Sequence, residues 1–395
     1  MEDTYIIYGA GVVGRRIQRE LTLLRINVLY FVEKDEKKIG QHIGIHKIIS
    51  WDEFIRGKQD AQVIIGVGDD LIDEVIRQLK EYKINFCTWD NFMDRFSRKN
   101  SNRLAIWGWW QGENLGDNWI KKINEKCFPD AVFIDTEWID IDNWGFVLIG
   151  GGGLFINSCI APWNREIKVP FGAWGLAAEF KHHLSRAEEL KNQAEFFFLR
   201  DKCSYNLMNI AGKPLESYDI TFVDPLPWRE IVCMNSVLLI WYIDDIVTNS
   251  LYDRYTYLEN RPCSECYDYL TKKFEKVRVS TFHTESSDIL SVIGDSGIVV
   301  SSKFHGIVAA IQMGIPCIAI EVANKLRIIM DDVGLGKYCI AVDEVNRIPE
   351  LIEELLNEKD EVREKQYAYR EHAHYIMQKQ YLEIKDVIEK FVKCM

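Results

Sequence analysis

Long apolar runs are missing from this chain. No stretch of about 18 consecutive apolar residues occurs, so no helix is expected to span a membrane; peripheral contact with a membrane surface stays open. Basic excess is missing too. The net charge is −12, whereas a nucleic-acid binder ordinarily presents a positive field that neutralises phosphates, so nucleic acid is not an expected partner. Bulk negative charge does not forbid a single basic pocket for a small anion. Proline and glycine are scarce, at 9 and 25 of 395 residues, which excludes a fibrous or disordered chain. Ten cysteines are scattered along the sequence. The start MEDTYIIYGAG is acidic and runs straight into a strand, with no secretory signal, so reduced thiols in the cytoplasm are expected. One CxxC, Cys263-Ser-Glu-Cys266, has no second pair at zinc-site spacing, and no metal is expected. No short-period repeat is visible.

What is present is an alternation of short apolar strands and amphipathic helices, the pattern of α/β domains with parallel sheets covered on both faces. Residues 1–100 read as a Rossmann-like unit for a nucleotide or sugar nucleotide. The strand Tyr5–Tyr8 leads into Gly9-Ala-Gly11-Val-Val-Gly14, a helix follows to about Leu24, and the next strand ends at Glu33. Glycines there let the backbone approach a phosphate at a helix N-terminus, and Glu33 stands where an acid would hold ribose hydroxyls. Gly9, Gly11, Gly14 and Glu33 are the candidate nucleotide-binding residues; the competing reading is a glycine turn that serves packing alone. The polar stretch Asp94–Arg103 reads as a linker. A second Rossmann-like unit spans 104–230 on the acceptor side. A third, 231–395, lies on the donor side and ends in charged helices. The second and third are expected to face each other across a cleft.

The third unit carries the strongest candidate site. The strand Ile298–Val300 is followed by Ser301-Ser-Lys303-Phe-His305-Gly306 and then an apolar helix. Lys303 and His305 thus stand at the carboxyl end of a strand, where open α/β sheets bind ligands. Lys325 occupies the corresponding place after the next strand. In the second unit, Gly108–Asp117 and Gly150–Gly153 both follow strands, and Arg200-Asp201 follows Phe196–Leu199. Arginine suits a two-pronged grip on phosphate or carboxylate. Arg200, Lys303, Lys325, Gly151 and Gly152 are the candidate anion-binding residues. Twelve tryptophans, several of them near these loops, can stack on sugars, although a core role is commoner.

In their order along the chain, these segments resemble the polysaccharide pyruvyltransferase family. The matching stretches are Gly108 through GENLGD to Asp117, Leu148–Leu154, Arg200–Ser204, Asp224-Pro225, Ser301–Gly306 with Gly314-Ile-Pro316, and Lys325, over about residues 104–345. The resemblance implies a GT-B-like pair of Rossmann-like domains. It also implies transfer of pyruvate from phosphoenolpyruvate to two hydroxyls of a sugar in a surface or capsular polysaccharide precursor, with no cofactor required. His305 would be the general acid, histidine being the side chain that titrates nearest neutrality, with Asp117 or Glu113 taking the hydroxyl proton. The acceptor would be a sugar or a lipid-linked oligosaccharide. The family usually has arginine where this chain has Lys303, and an acid is common at the position of Asn118. Two alternatives stand beside this reading: a GT-B glycosyltransferase with a nucleotide-sugar donor, and a catalytically disabled sugar-nucleotide-binding protein. Self-association is not legible in the sequence.

Overall fold

The computed structural model describes residues 4–57, 61–110, 114–135, 143–153, 167–177, 184–207, 216–230, 232, 234–241, 264–280, 282 and 288–392. Three sheets follow one another along the chain, and every strand pair within them is parallel except one short hairpin. The first sheet is built from β1 (Thr4–Tyr8), α1 (Val12–Leu23), β2 (Asn27–Glu33), β3 (His42–Ile43), β4 (His46–Ser50), α2 (Trp51–Arg56), β5 (Gln62–Ile65), α3 (Asp69–Glu81), β6 (Phe86–Thr88) and α4 (Trp89–Lys99). The second comprises β7 (Leu104–Gly108), α5 (Leu115–Cys127), β8 (Val132–Asp135), β9 (Phe146–Gly152), β10 (Phe171–Leu176), α6 (Leu184–Gln193), β11 (Phe196–Leu199) and α7 (Lys202–Leu207). The third comprises β12 (Ser236–Ile240), α8 (Ser264–Lys273), β13 (Lys276–Ser280), α9 (Ile289–Ile293), β14 (Ile298–Ser301), α10 (Phe304–Met313), β15 (Cys317–Glu321), α11 (Asn324–Asp332) and β16 (Cys339–Ala341). Two more helices, α12 (Ile348–Asn357) and α13 (Lys359–Ile388), end the described chain. The expected α/β class with several Rossmann-like units is what forms.

Side-chain alternation along the second sheet explains how the units join. Successive residues of a strand point to opposite faces. Leu104, Ile106, Phe146, Leu148, Phe196 and Phe198 share a core with Trp119, Ile120 and Ile123 of α5 and Ile384 and Ile388 of α13. Their odd-numbered or even-numbered neighbours Ala105, Trp107, Val147, Ile149, Phe197 and Leu199 share another with Ile17 and Leu21 of α1 and Trp89, Phe92 and Met93 of α4. The first unit therefore covers one face of the second sheet, and the last helix returns from the third unit to cover the other. That return is tied by Tyr381, whose hydroxyl donates to the Cys127 carbonyl at 3.1 Å.

The stretch Asp94–Arg103 is not a linker along its whole length. Residues through Lys99 complete α4, capped by the Thr88 hydroxyl, which accepts from Asn91 N–H at 3.3 Å. The helical signal lies in Trp89, Phe92, Met93 and Phe96, the spacing of one helix face, so the charged residues after position 94 are its solvent side.

The strand orders fix where loops gather. The sheets run β3-β4-β2-β1-β5-β6, β11-β10-β9-β7-β8 and β13-β12-β14-β15-β16. In each, the chain leaves the first strand to one side and later crosses to the other, which opens a crevice at the carboxyl ends. These switch points lie between β1 and β5, β7 and β9, and β12 and β14. No described helix is long and apolar enough to cross a membrane.

Candidate functional site

The Ser-Ser-Lys-x-His-Gly segment is shaped by its own small residues. Ser301 Oγ accepts from Lys303 N–H at 3.0 Å and donates to the Lys303 carbonyl at 2.8 Å. Ser302 N–H donates to Ile240 O of β12 at 2.9 Å, which pins the bend to the neighbouring strand. A Cβ on Gly306 would stand 2.5 Å from Ser301 Oγ and 2.6 Å from Ile240 Cδ1, so glycine is what lets the helix start so close to the sheet. Lys303 becomes the N-cap of α10, and His305 lies in its first turn.

From there His305 reaches the second unit. Its ring fills the space beside Gly116 in the first turn of α5: a Cβ at 116 would lie 2.1 Å from His305 Nδ1. Trp119 flanks it edge-on at 6.2 Å between ring centroids. Its Nε2 is 3.5 Å from Asp219 Oδ2. These two atoms are buried and, among the described residues, complete no hydrogen bond; at that separation the attraction is chiefly electrostatic.

Asp117 sits one residue beyond Gly116, partly accessible at the base of the crevice. A Cβ on Gly152 would be 3.7 Å from Asp117 Oδ1, so the glycine that ends β9 lies beside this carboxylate. Gly151 and Gly152 take φ of 78° and 82°, the left-handed region that favours glycine. Gly151 is further constrained by Ile120 Cγ2, 2.7 Å from where its Cβ would be. Burial pushes the Asp117 carboxyl up from its ordinary value, against the opposing pull of the charges on His305, Lys325 and Lys303; the Asp219 charge adds to the rise. Both predicted lysines thus act on the same carboxylate from the third unit.

Arg200, at the end of β11, is 5% exposed. Its guanidinium lies over the Phe304 ring at 4.2 Å, which is a cation–π contact, and its Nε is 3.3 Å from Asp201 Oδ2. Asp201 is otherwise occupied in starting α7, since its Oδ1 accepts from Ser204 N–H at 2.7 Å. The structure therefore sets His305 beside Gly116 and Asp219, Asp117 beside Gly152, Lys303 and Lys325 near enough to act on the Asp117 charge, and Arg200 over the ring of Phe304 next to His305. Glu113 lies outside the described residues.

Sequence reasoning missed Asp219. It precedes a single helical turn, Ile220–Val223, and its Oδ1 accepts from Thr221 N–H at 3.1 Å and Thr221 Oγ1 at 2.7 Å. Burial would raise this carboxyl, but the nearby His305, the charge of Arg200 and the Thr221 hydroxyl outweigh it and hold the group down at about 2. The Asp-x-Thr spacing of a local side-chain turn was the available signal.

The N-terminal glycines behave differently. A Cβ on Gly9 would be 2.5 Å from Gly66 O, and one on Gly14 would be 1.8 Å from Gly9 O. These two glycines allow the β1 and β5 loops to close on each other. Gly11 has nothing within 4 Å of its Cβ position. Glu33 accepts from Ala10 N–H at 3.0 Å, Lys34 N–H at 2.8 Å and Asp35 N–H at 3.2 Å, with Lys38 Nζ 3.3 Å away. Its acceptor sites are thus engaged by the chain itself, and these hydrogen bonds hold its carboxyl below the ordinary value despite burial.

Gly116 offers a direct test of this geometry. Gly116→Ala should displace the His305 ring and lower turnover about 10²-fold, the scale expected for a misplacement of about 1 Å. Adding His305→Ala to that variant should cost little more, because both changes remove one contact. Independent, multiplying losses in steady-state assays of the four proteins would contradict the shared contact.

Several Rossmann-like units, with cations, carboxylates and a histidine converging between two of them, define a group-transfer enzyme of α/β build. The family model for polysaccharide pyruvyl transferase matches residues 67–324, and the chain belongs to that family: it is an enzyme that transfers pyruvate to polysaccharide. The match begins within the first unit and ends one residue before Lys325. No curated protein matches the chain significantly.

Proposed function

We propose that the pyruvyl group comes from phosphoenolpyruvate and is delivered to two hydroxyls of one sugar in a surface or capsular polysaccharide precursor, giving a cyclic ketal. The observation that carries this reading is the meeting of Arg200, Lys303 and Lys325 with His305 and Asp117 at the junction of two sheets. A donor with a phosphate at one end and a carboxylate at the other calls for cations on both sides. Lysine holds phosphate as a point charge, while the arginine fork suits the planar carboxylate.

The steps follow from those positions. His305, protonated, gives its proton to the methylene carbon, and the adjacent carbon becomes electron-poor. A sugar hydroxyl adds there and loses its proton to Asp117. Phosphate then leaves with the proton held by Asp117, the second hydroxyl takes its place and gives its own proton back to His305, and the methyl group keeps the proton first transferred. The products are one ketal and inorganic phosphate. Free thiols at Cys87, Cys127, Cys203, Cys266, Cys317 and Cys339 suit a reducing cytoplasm, where such a precursor is assembled.

Lysine at 303, where the family usually has arginine, favours one rival, a nucleotide-sugar donor whose diphosphate the same cations would neutralise. Thermal melts separate the two. Phosphoenolpyruvate at about 100 times its Kd should stabilise the protein by about 2.7 kcal/mol, with nucleotide sugars inert. Stabilisation by a nucleotide sugar alone would reject the phosphoenolpyruvate reading. Mass spectrometry of candidate acceptors incubated with phosphoenolpyruvate then identifies the ketal.

A further inference from the structure

Helix α10 carries two polar residues seven positions apart, His305 and Gln312, and two helical turns place them on one face. Gln312 is fully buried in an otherwise apolar helix. Its Oε1 accepts from Leu226 N–H at 2.8 Å, and its Nε2 donates to Thr221 Oγ1 at 3.1 Å. Thr221 Oγ1 passes its own proton to Asp219 Oδ1 at 2.7 Å. Asp219 Oδ1 is thereby fixed from two directions by Thr221, which leaves Oδ2 turned to His305 Nε2.

The same turn is clamped from behind by α13. His374 Nδ1 contacts the Phe222 carbonyl at 2.9 Å, Gln378 Nε2 donates to the Val223 carbonyl at 2.5 Å, and Ser217 Oγ donates to Gln380 Oε1 at 3.1 Å. A buried polar chain with so many satisfied members is rigid. Filling the core with aliphatic side chains would serve stability at least as well, so its cost asks for another return.

We propose that Asp219 is the positioning residue for His305: through the Gln312–Thr221–Asp219 chain, the last helix and the segment 217–226 hold a fixed carboxylate against His305 Nε2, which sets the orientation of the ring and favours a proton on it. The inference rests on the assignment of His305 as the acid. Among the described residues, the charged groups around the ring are Asp219 from the turn, Asp117 from α5, Arg200 beside Phe304, and Lys303 and Lys325 acting through Asp117. Of these carboxylates, Asp219 has one oxygen locked and the other aimed at the ring. An adjacent anion favours the protonated imidazole. Its removal shifts the ring toward the neutral form, which is no donor for an acid-catalysed step.

The test is Asp219→Asn, which keeps shape and removes charge. Nitrogen-15 NMR, with the His305 signals assigned by their loss in His305→Ala, should show the ring titrating over a lower pH range than in the parent. Turnover above that range should fall about tenfold for each pH unit of displacement, with KM for phosphoenolpyruvate little changed. Thr221→Val, which keeps the Asp219 charge but frees its oxygen, should move both readouts in the same direction by less. An unchanged His305 titration in both variants, with only a lower melting temperature, would reduce Asp219 to a structural residue and overturn the proposal. The NMR readout needs no donor, so failure of the phosphoenolpyruvate reading would appear separately, as stabilisation by a nucleotide sugar alone in the thermal melts.

Discussion

His305→Ala should lower turnover by about 10²–10⁴, the range that a positioned acid–base group contributes, while phosphoenolpyruvate still binds. The two effects separate because the cations are elsewhere. Arg200 is held by Phe304 and Asp201, and Lys303 and Lys325 lie on either side of β15 in the chain. Alanine at 305 leaves the KM for the donor within a few-fold and the ligand-induced rise in melting temperature intact. It also leaves Asp219, 4% exposed, without its imidazole partner, which should lower stability by about 1–3 kcal/mol. Kinetics and thermal melts on one preparation check all three. Near-normal turnover would remove His305 from the mechanism.

Asp117→Asn should do something rarer, raising stability while abolishing most activity. The Asp117 carboxyl is shifted up from its ordinary 3.8, chiefly by burial. A carboxyl whose folded-state value lies above its unfolded-state value costs stability when ionised. That cost is absent below the unfolded-state value, grows as pH rises toward the folded-state value, and is complete above it. The variant should therefore melt higher than the parent at pH 7, and the difference should shrink as pH falls through the raised folded-state value and vanish below the ordinary 3.8. Turnover should drop by about 10²–10⁴ if this group receives the hydroxyl proton. The trade between function and stability is common at active sites. A variant less stable than the parent at both pH values would contradict the role of burial.

The two carboxylates would suit the acid–base roles proposed for this site. Their environments push them apart, Asp117 up and Asp219 down to about 2, and such a split usually sorts the roles at a catalytic centre. Asp219 stays ionised beside the ring, whereas Asp117, partly accessible and facing Gly152, is placed to exchange a proton.

Much of this was legible in order along the chain. A strand followed by small or charged residues and then a helix fixes where backbone turns, so Lys303, His305, Lys325, Arg200 and the glycines after β9 could be placed at strand ends without coordinates. The bulk charge argued against a nucleic-acid partner, and no described helix is long and apolar enough to cross a membrane. The alternation of short apolar strands with helices marked parallel sheets covered on both faces.

What covers those faces was not legible. That α1 of the first unit and α13 from the far end take opposite sides of the second sheet depends on packing between segments hundreds of residues apart. Nor does any spacing reveal that Gly116 is small because a histidine from the third unit occupies its side-chain volume, or that Glu33 spends its oxygens on the glycine loop. Asp219 shows the division most plainly. Its local turn with Thr221 is written in three consecutive residues, whereas its pairing with His305 exists only because α10 lays its polar face on that turn and α13 closes behind it. Local hydrogen bonding and periodicity are properties of neighbouring residues and so belong to the sequence; the meeting of an acid, a base and three cations is a property of sheets brought together, and only the tertiary structure decides it.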